Sequence, residues 1–479
     1  MVFTAFVEAG ERILFGSDFP NIPYGYCEAL DALTALPGST TAGYVGFCTT
    51  TPRSCSQSSY HPRCTRDHRG QGVPRTRERP ATVPTDLTPI QPPIPVPDVP
   101  GADAGAQGLP DRSELSLREK LIVDTSAFAD IGLRTGVASM VAAAMFPSVL
   151  TTAVGGKQSR RERERLEFYA ELASAQDPTR SFPAPTAPPR VSARRANPIA
   201  ERIARGIVDN VSFRSSFEAV NPAMRDSWSA LGNNNTARFQ HWRHEDGPRP
   251  TLCVIHGFMG SAYLFNGLFF SLPWFYRSGY DVALFTLPFH GQRAEKYSPF
   301  SGYGYFSHGA SGFAEAMAQA VHDFRSMLDY LESTGVDRFA LTGLSLGGYT
   351  TALLAAVEPR LQAVVPNVPV VSVESEIRDW FPANMVLAGG QRLGRVGGDE
   401  FGAATAFHSP LNYAPLVARE RRLIITGLGD RLAPPEQSEM LWHHWDRCAL
   451  HWFPGNHILH VSQPAYLRRM TAFLRPYMF

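Results

Sequence analysis

Residues 338–358 read RFALTGLSLGGYTTALLAAVE, and the reading of this stretch decides the architecture of the C-terminal half. RFALTG is a short apolar run that predicts a buried strand, and YTTALLAAVE predicts a helix. Between them lies Gly343-Leu344-Ser345-Leu346-Gly347, which puts a serine at a strand-to-helix turn. Such a turn is strained and neighbouring backbone passes close to it, so glycines two before and two after the serine avoid Cβ clashes. The hydroxyl is then presented at a helix N-terminus, where backbone N–H groups favour developing negative charge. A G-x-S-x-G motif in this strand–turn–helix setting predicts that Ser345 is a nucleophile.

The same rhythm runs outward on both sides. TLCVIHG (251–257), DVALFTL (281–287), LQAVVPNVPVV (361–371), RRLIITG (421–427) and CALHWFPG (448–455) each read as a strand, and 311–333 as an amphipathic helix. Short apolar strands alternating with helices predict an α/β fold: a mainly parallel central sheet with helices on both faces. The longest interruption is 372–420, where glycines and aromatics crowd without a clean period. It reads either as a cap over the site or as surface elaboration.

A serine hydroxyl needs a base, and the base needs an orienting acid. On this layout the chain order is Ser, then Asp or Glu, then His. Asp430, after LIITGLG, and His457, in PGNH, fit that order at two strand ends. They are preferred to Glu436 and Asp446 as the acid and to His460 as the base. An oxyanion would receive the backbone N–H of Leu346 and that of Phe258, in the turn IHGFMGS (255–261). His256 belongs to that turn and reads as structural. LPFHGQR (287–293) and the aromatic loop YSPFSGYGYFSHG (297–309) supply Phe289, Tyr303 and Phe306 as candidate linings of an apolar pocket. Arg293 is a candidate contact for a carboxylate or phosphate.

With IHGFMGS, LPFHGQR, GLSLGG, GLGD and GNH in this order, residues 248–479 resemble the α/β-hydrolase superfamily, in its esterase, lipase and dienelactone-hydrolase-like branch. The resemblance implies a serine hydrolase that cleaves a small, largely apolar carboxylic ester through an acyl-enzyme on Ser345. Acyl transfer, thioester cleavage and amide cleavage by the same residues stay open. A non-catalytic binding or scaffolding role is the competing class; the presence of nucleophile, acid, base and elbow glycines argues against it. The mechanism calls for no metal and no cofactor, and no glycine-rich nucleotide loop is found.

The N-terminal half is organised differently. RILFGSDFPNIPYGYCEALDAL (12–33) resembles the C-terminal part of a metal-dependent amidohydrolase, in which Asp18 would be a metal-site residue. A (β/α)₈ barrel needs about 250 residues, so 1–50 reads as a remnant of a fusion or of an early start site. Residues 51–115, with LTPIQPPIPVPDVP at 87–100, predict a disordered, extended Pro-rich linker. Residues 116–247 read as a helical extension, with RRERERLEFYAELASAQ (160–176) its clearest helix. The uncharged run Val137–Val154 contains Pro147 and reads as a packed helix in preference to a membrane anchor.

The chain is near neutral, with a formal net charge of +1, which gives no electrostatic reason to expect a nucleic-acid partner. Its six cysteines match no standard metal or redox spacing. Glu8 and Glu11 interrupt what would be a signal peptide, so the expected location is cytoplasmic, with peripheral membrane association as the weaker alternative.

Overall fold

The computed structural model describes residues 108–479, apart from 155, 261, 395–397 and 459–462. The amidohydrolase-like segment with Asp18, most of the Pro-rich linker, and His460 lie outside the described residues.

The described strands are β1 (Val191–Arg195), β2 (Ile207–Arg214), β3 (Thr236–Arg243), β4 (Thr251–Ile255), β5 (Asp281–Thr286), β6 (Phe339–Leu344), β7 (Leu361–Asn367), β8 (Leu423–Gly427) and β9 (Ala449–Phe453). They form one sheet in the order β1-β2-β3-β5-β4-β6-β7-β8-β9. From β5 to β9 every pairing is parallel, whereas β1, β2, β3 and β5 pair antiparallel. This is the mixed, mostly parallel sheet of an α/β hydrolase.

Side-chain alternation explains why the central strands read as unbroken apolar runs. Successive residues of a strand point to opposite faces. On β4 and β5, Leu252, Val254, Val282 and Leu284 enter one core, while Cys253, Ile255, Ala283 and Phe285 enter the other. A sheet covered on both faces therefore needs an apolar residue at every position.

The helices that bear on the site are α1 (Leu117–Val154), α2 (Gly156–Ala175), α3 (Gly309–Ser333), α4 (Leu346–Val357), α5 (Val373–Asp379), α6 (Ala383–Gly394), α7 (Gly398–Thr405), α8 (Pro435–His444) and α9 (Gln463–Met478). Helices α3 and α4 cover one face of the sheet, and α9 covers the other through Leu467, Met470 and Leu474.

The structure corrects one expectation about the N-terminal half. Residues 116–247 are not helical throughout; beside the short helices Pro198–Ala204 and Arg225–Ser229, residues 191–243 contribute the three antiparallel strands β1–β3. A boundary at 248 therefore cuts through the sheet, because β3 is hydrogen-bonded to β5 from Arg238 to Trp242.

The segment between β7 and β8 folds into α5, α6 and α7; α6 packs on α1 and α7 on α2. Val137, Ala138, Val141 and Met145 of α1 share a small core with Ile377, Trp380, Ala383 and Phe401. Helix α1 thus buries one stripe in protein, leaving Phe128, Ile131, Phe146 and Leu150 exposed on the remainder. By length and composition alone, Leu117–Thr152 is also long and apolar enough to cross a membrane. The helix begins with a capping box. The Ser116 N–H donates to Glu119 Oε2 at 2.9 Å, and the Glu119 N–H donates back to Ser116 Oγ at 3.3 Å.

Candidate active site

Ser345 sits at the carboxyl end of β6 with φ 56° and ψ −113°, a backbone conformation that non-glycine residues rarely adopt. Two hydrogen bonds hold it there. Its N–H donates to Asn367 O on β7 at 3.0 Å, and its carbonyl accepts the Tyr349 N–H at 2.8 Å, closing the first turn of α4. The flanking glycines are required by space. A Cβ on Gly343 would lie 2.3 Å from Gly347 O, and one on Gly347 would lie 2.2 Å from Ile255 O. Leu346 is the first residue of α4, and the leading N–H groups of a helix have no intrahelical acceptor.

The turn after β4 runs beside the serine, since a Cβ built on Gly257 would lie 3.5 Å from Ser345 Cβ. Phe258 follows it. His256 is buried, with both ring nitrogens engaged: Nδ1 lies 2.8 Å from Gly257 O, and Nε2 accepts the Leu287 N–H at 3.1 Å. These partners require the neutral ring with its proton on Nδ1. Burial pushes its pKa down to about 4, so His256 ties the turn after β4 to the one after β5.

Asp430 and His457 leave the carboxyl ends of the adjacent strands β8 and β9 and meet directly: His457 Nδ1 lies 2.7 Å from Asp430 Oδ2. The other carboxylate oxygen, Oδ1, accepts the N–H groups of Leu432 at 2.9 Å and Ala433 at 2.7 Å, which fixes the acid's orientation. Burial by itself would lower the pKa of His457. The attraction and hydrogen bond of Asp430, with the nearby charges of Asp130 and Glu376, outweigh burial and raise it above the ordinary histidine value. The Nδ1 side of the ring is committed to Asp430.

Two of these carboxylates come from outside the core sheet and were missed in the sequence. Glu376, on α5, is pushed up to about 8 by burial and then by the charge of Asp430. Asp130, on α1, is pushed up to about 6 by the same two effects in the same order. A partial signal for Asp130 was present, because it falls on the helical stripe Val123, Ala127, Asp130, Arg134, Val137, Val141, most of whose members are apolar. A charge on a buried stripe needs a partner. Glu376 carries no comparable mark.

The candidate pocket residues separate. Phe306 lines an apolar cavity between α1, α3 and the α5–α7 segment, together with Met145, Leu166, Phe313, Ile377 and Phe401. The space amounts to roughly 920 Å³, part of it open to solvent. Phe258 stands edge-on to Phe306 with ring centroids 5.4 Å apart, so it lies between the cavity and the serine turn. Tyr303 is half-buried and packs on Phe300. Phe289 and Arg293 do not reach the cavity. Phe289 is fully buried against Trp228 and Tyr305. Arg293, equally buried, pairs with Asp323 at 2.6 Å and donates to the carbonyls of Asn234 and Thr286. Its charge is consumed inside the core, which corrects the expectation that it meets a substrate anion. Among the described residues there is no cluster of three or more potential metal ligands.

Residues 250–387 match the family described as alpha/beta hydrolase fold. Two uncharacterized proteins of Mycobacterium tuberculosis, from different strains, are each 30% identical over 308 residues, which is 61% of this chain and 68% of theirs. Among solved structures, an acetyl xylan esterase from Paenibacillus sp. is similar at 14% identity and TM-score 0.46, over 66% of this chain and 94% of that one. An esterase from Pyrococcus furiosus is similar at 13% identity and TM-score 0.41, over 61% of this chain and all of that one. The sheet order, the strained serine turn and the family match agree, and the chain belongs to the α/β-hydrolase fold family.

Proposed function

We propose that the protein is a serine hydrolase that cleaves carboxylic esters with an apolar acyl group. Ser345 Oγ attacks the acyl carbon while His457 Nε2 takes its proton; Asp430 holds the ring and offsets the charge that forms on it. The oxyanion is met by the N–H groups of Leu346 and Phe258, fixed donors whose orientation costs nothing at the moment of reaction. His457 then returns the proton to the departing alkoxide. Water, activated by the same ring, releases the acid from Ser345.

The observation that carries this reading is the 2.7 Å His457–Asp430 pair, at the edge of the sheet that also bears the strained serine. The apolar cavity beyond Phe258 and Phe306 supports an apolar acyl group. The test is turnover of p-nitrophenyl esters of increasing chain length by the full chain and by Ser345→Ala. The reading expects turnover by the wild type and none above background in the variant; equal rates would contradict it.

A further inference from the structure

One carboxylate close to His457 has no role in that chemistry. Asp130 is fully buried at the middle of α1, about 300 residues before the acid it approaches in space. Its Oδ2 accepts the N–H of Arg431 at 2.5 Å and that of Leu432 at 3.0 Å. The Leu432 N–H is shared, since it also points at Asp430 Oδ1. The turn that carries the candidate acid is thus held from inside by Asp430 itself and from outside by Asp130.

One helical turn earlier, α1 grips the loop of the candidate base. Asn456, the residue before His457, donates its Nδ2–H to the carbonyl of Ser126 at 3.0 Å. Between the two grips, α1 lies directly on Gly429. A Cβ there would fall 2.2 Å from Ser126 Oγ and 2.9 Å from Val123 O. Positions 123, 126 and 130 share one face of a helix, so a single rigid element sets the spacing of both loops.

We propose that Asp130 is a positioning residue of the candidate site: from α1 it fixes the 430–432 turn, aims Asp430 at His457, and makes the N-terminal helix an integral part of the catalytic apparatus. The proposal rests on the assignment of Asp430 and His457 above. The charges that face Asp130 are Asp430 on the turn after β8 and His457 on the turn after β9, and Glu376 on α5 also faces His457. Asp130 Oδ1 is buried without a hydrogen-bond partner, so part of its charge is left to act on these groups. Holding a charge unpaired in the interior is costly, and aiming the acid–base pair is the return on that cost.

The experiment uses the full chain with Asp130→Asn and Asp130→Ala, read by ester kinetics and by NMR titration of the His457 imidazole, assigned against His457→Gln. Asparagine keeps an acceptor for the two N–H groups but removes the charge. Alanine removes both. For Ala the expectation is a kcat loss of about 10- to 100-fold, the scale of small misplacements at a reacting centre, with little change in KM. For Asn, most of kcat returns, while the His457 titration and the acid limb of the pH–rate profile both move to lower pH. A purely structural role would lower the melting temperature and leave both readouts in place. That result in either folded variant overturns the proposal. Should Ala fail to fold, Asn decides alone. Should the wild type hydrolyse no ester, the functional reading fails separately, and the His457 titration still decides: a downward shift in Asp130→Asn supports the brace and an unchanged one overturns it.

Discussion

Strand β4 is buried at all five of its positions, whereas α1, over 38 residues, buries one stripe and leaves Leu117, Leu121 and Phe128 largely exposed. The two regions divide the work. The sheet supplies the chain ends that carry Ser345, Asp430 and His457, and its two-sided burial keeps those ends in register. The layer of α1 with α5–α7 supplies no atom of the proposed chemistry. Instead it walls the apolar cavity and presses Asp130 and Glu376 toward the acid–base pair. The proposed reactive groups sit on the more deeply buried region; their environment is set by the layer added to it.

If that division holds, substitutions in the two regions differ in kind as well as size. Ser345→Ala should cost about 10⁴-fold or more in kcat while the melting temperature stays near that of the wild type, as checked by ester kinetics beside thermal unfolding. Arg293→Met should do the reverse. It strands the buried Asp323 carboxylate, a loss of about 3–5 kcal/mol of stability, yet KM should be unchanged because Arg293 touches no substrate. Denaturant unfolding and steady-state kinetics on one preparation would decide it.

Leu341→Ala in the sheet and Ile377→Ala in the layer sharpen the comparison. Deleting such buried side chains costs about 2–5 kcal/mol. The sheet variant should lie toward the upper end, with kinetics preserved in the folded fraction. The layer variant should lie toward the lower end and raise KM selectively for longer acyl chains, because Ile377 lines the cavity.

Acidity separates the regions once more. His457 must be neutral to act as a base, and its pKa is raised. Activity should therefore rise with pH through a limb above the ordinary histidine range. Glu376 binds its proton more tightly when folded, up to about 8 against 4.5 unperturbed. Across that window the folded state holds more protons than the unfolded one, so this group makes stability fall as pH rises. Glu376→Gln should flatten that slope in melting temperatures measured between those limits. The smallest effect belongs to the exposed side of α1: Leu121→Ser should change stability by about 0.5 kcal/mol or less.

The contrast also explains what could be read in the sequence. Strands β4 to β8 were legible because burial on both faces demands continuous apolar runs, the half-exposed edge strand β9 through Leu450, Trp452 and Phe453, and the serine turn because its glycines have no substitute. Strands β1 to β3 were not. Apart from Val191, β1 is exposed along its length. In β2 and β3, residues such as Asp209, Asn210, Gln240 and His241 hide the alternation, because cross-strand hydrogen bonds and ion pairs satisfy several of them. Arg293 was misread for a related reason: an arginine beside a glycine turn looks available until Asp323, 30 residues on, is seen to neutralise it. Asp130 shows in the local pattern only as a carboxylate on a mostly apolar helical stripe; the groups that it and Glu376 face lie far away in sequence, which local pattern does not encode.

The most direct measurement is covalent. The full chain, treated with a fluorophosphonate and analysed by intact and peptide mass spectrometry, should gain one phosphonyl group per molecule on the peptide containing Ser345, and Ser345→Ala should gain none. Adduct on another residue, or equal labelling of the variant, would contradict the account.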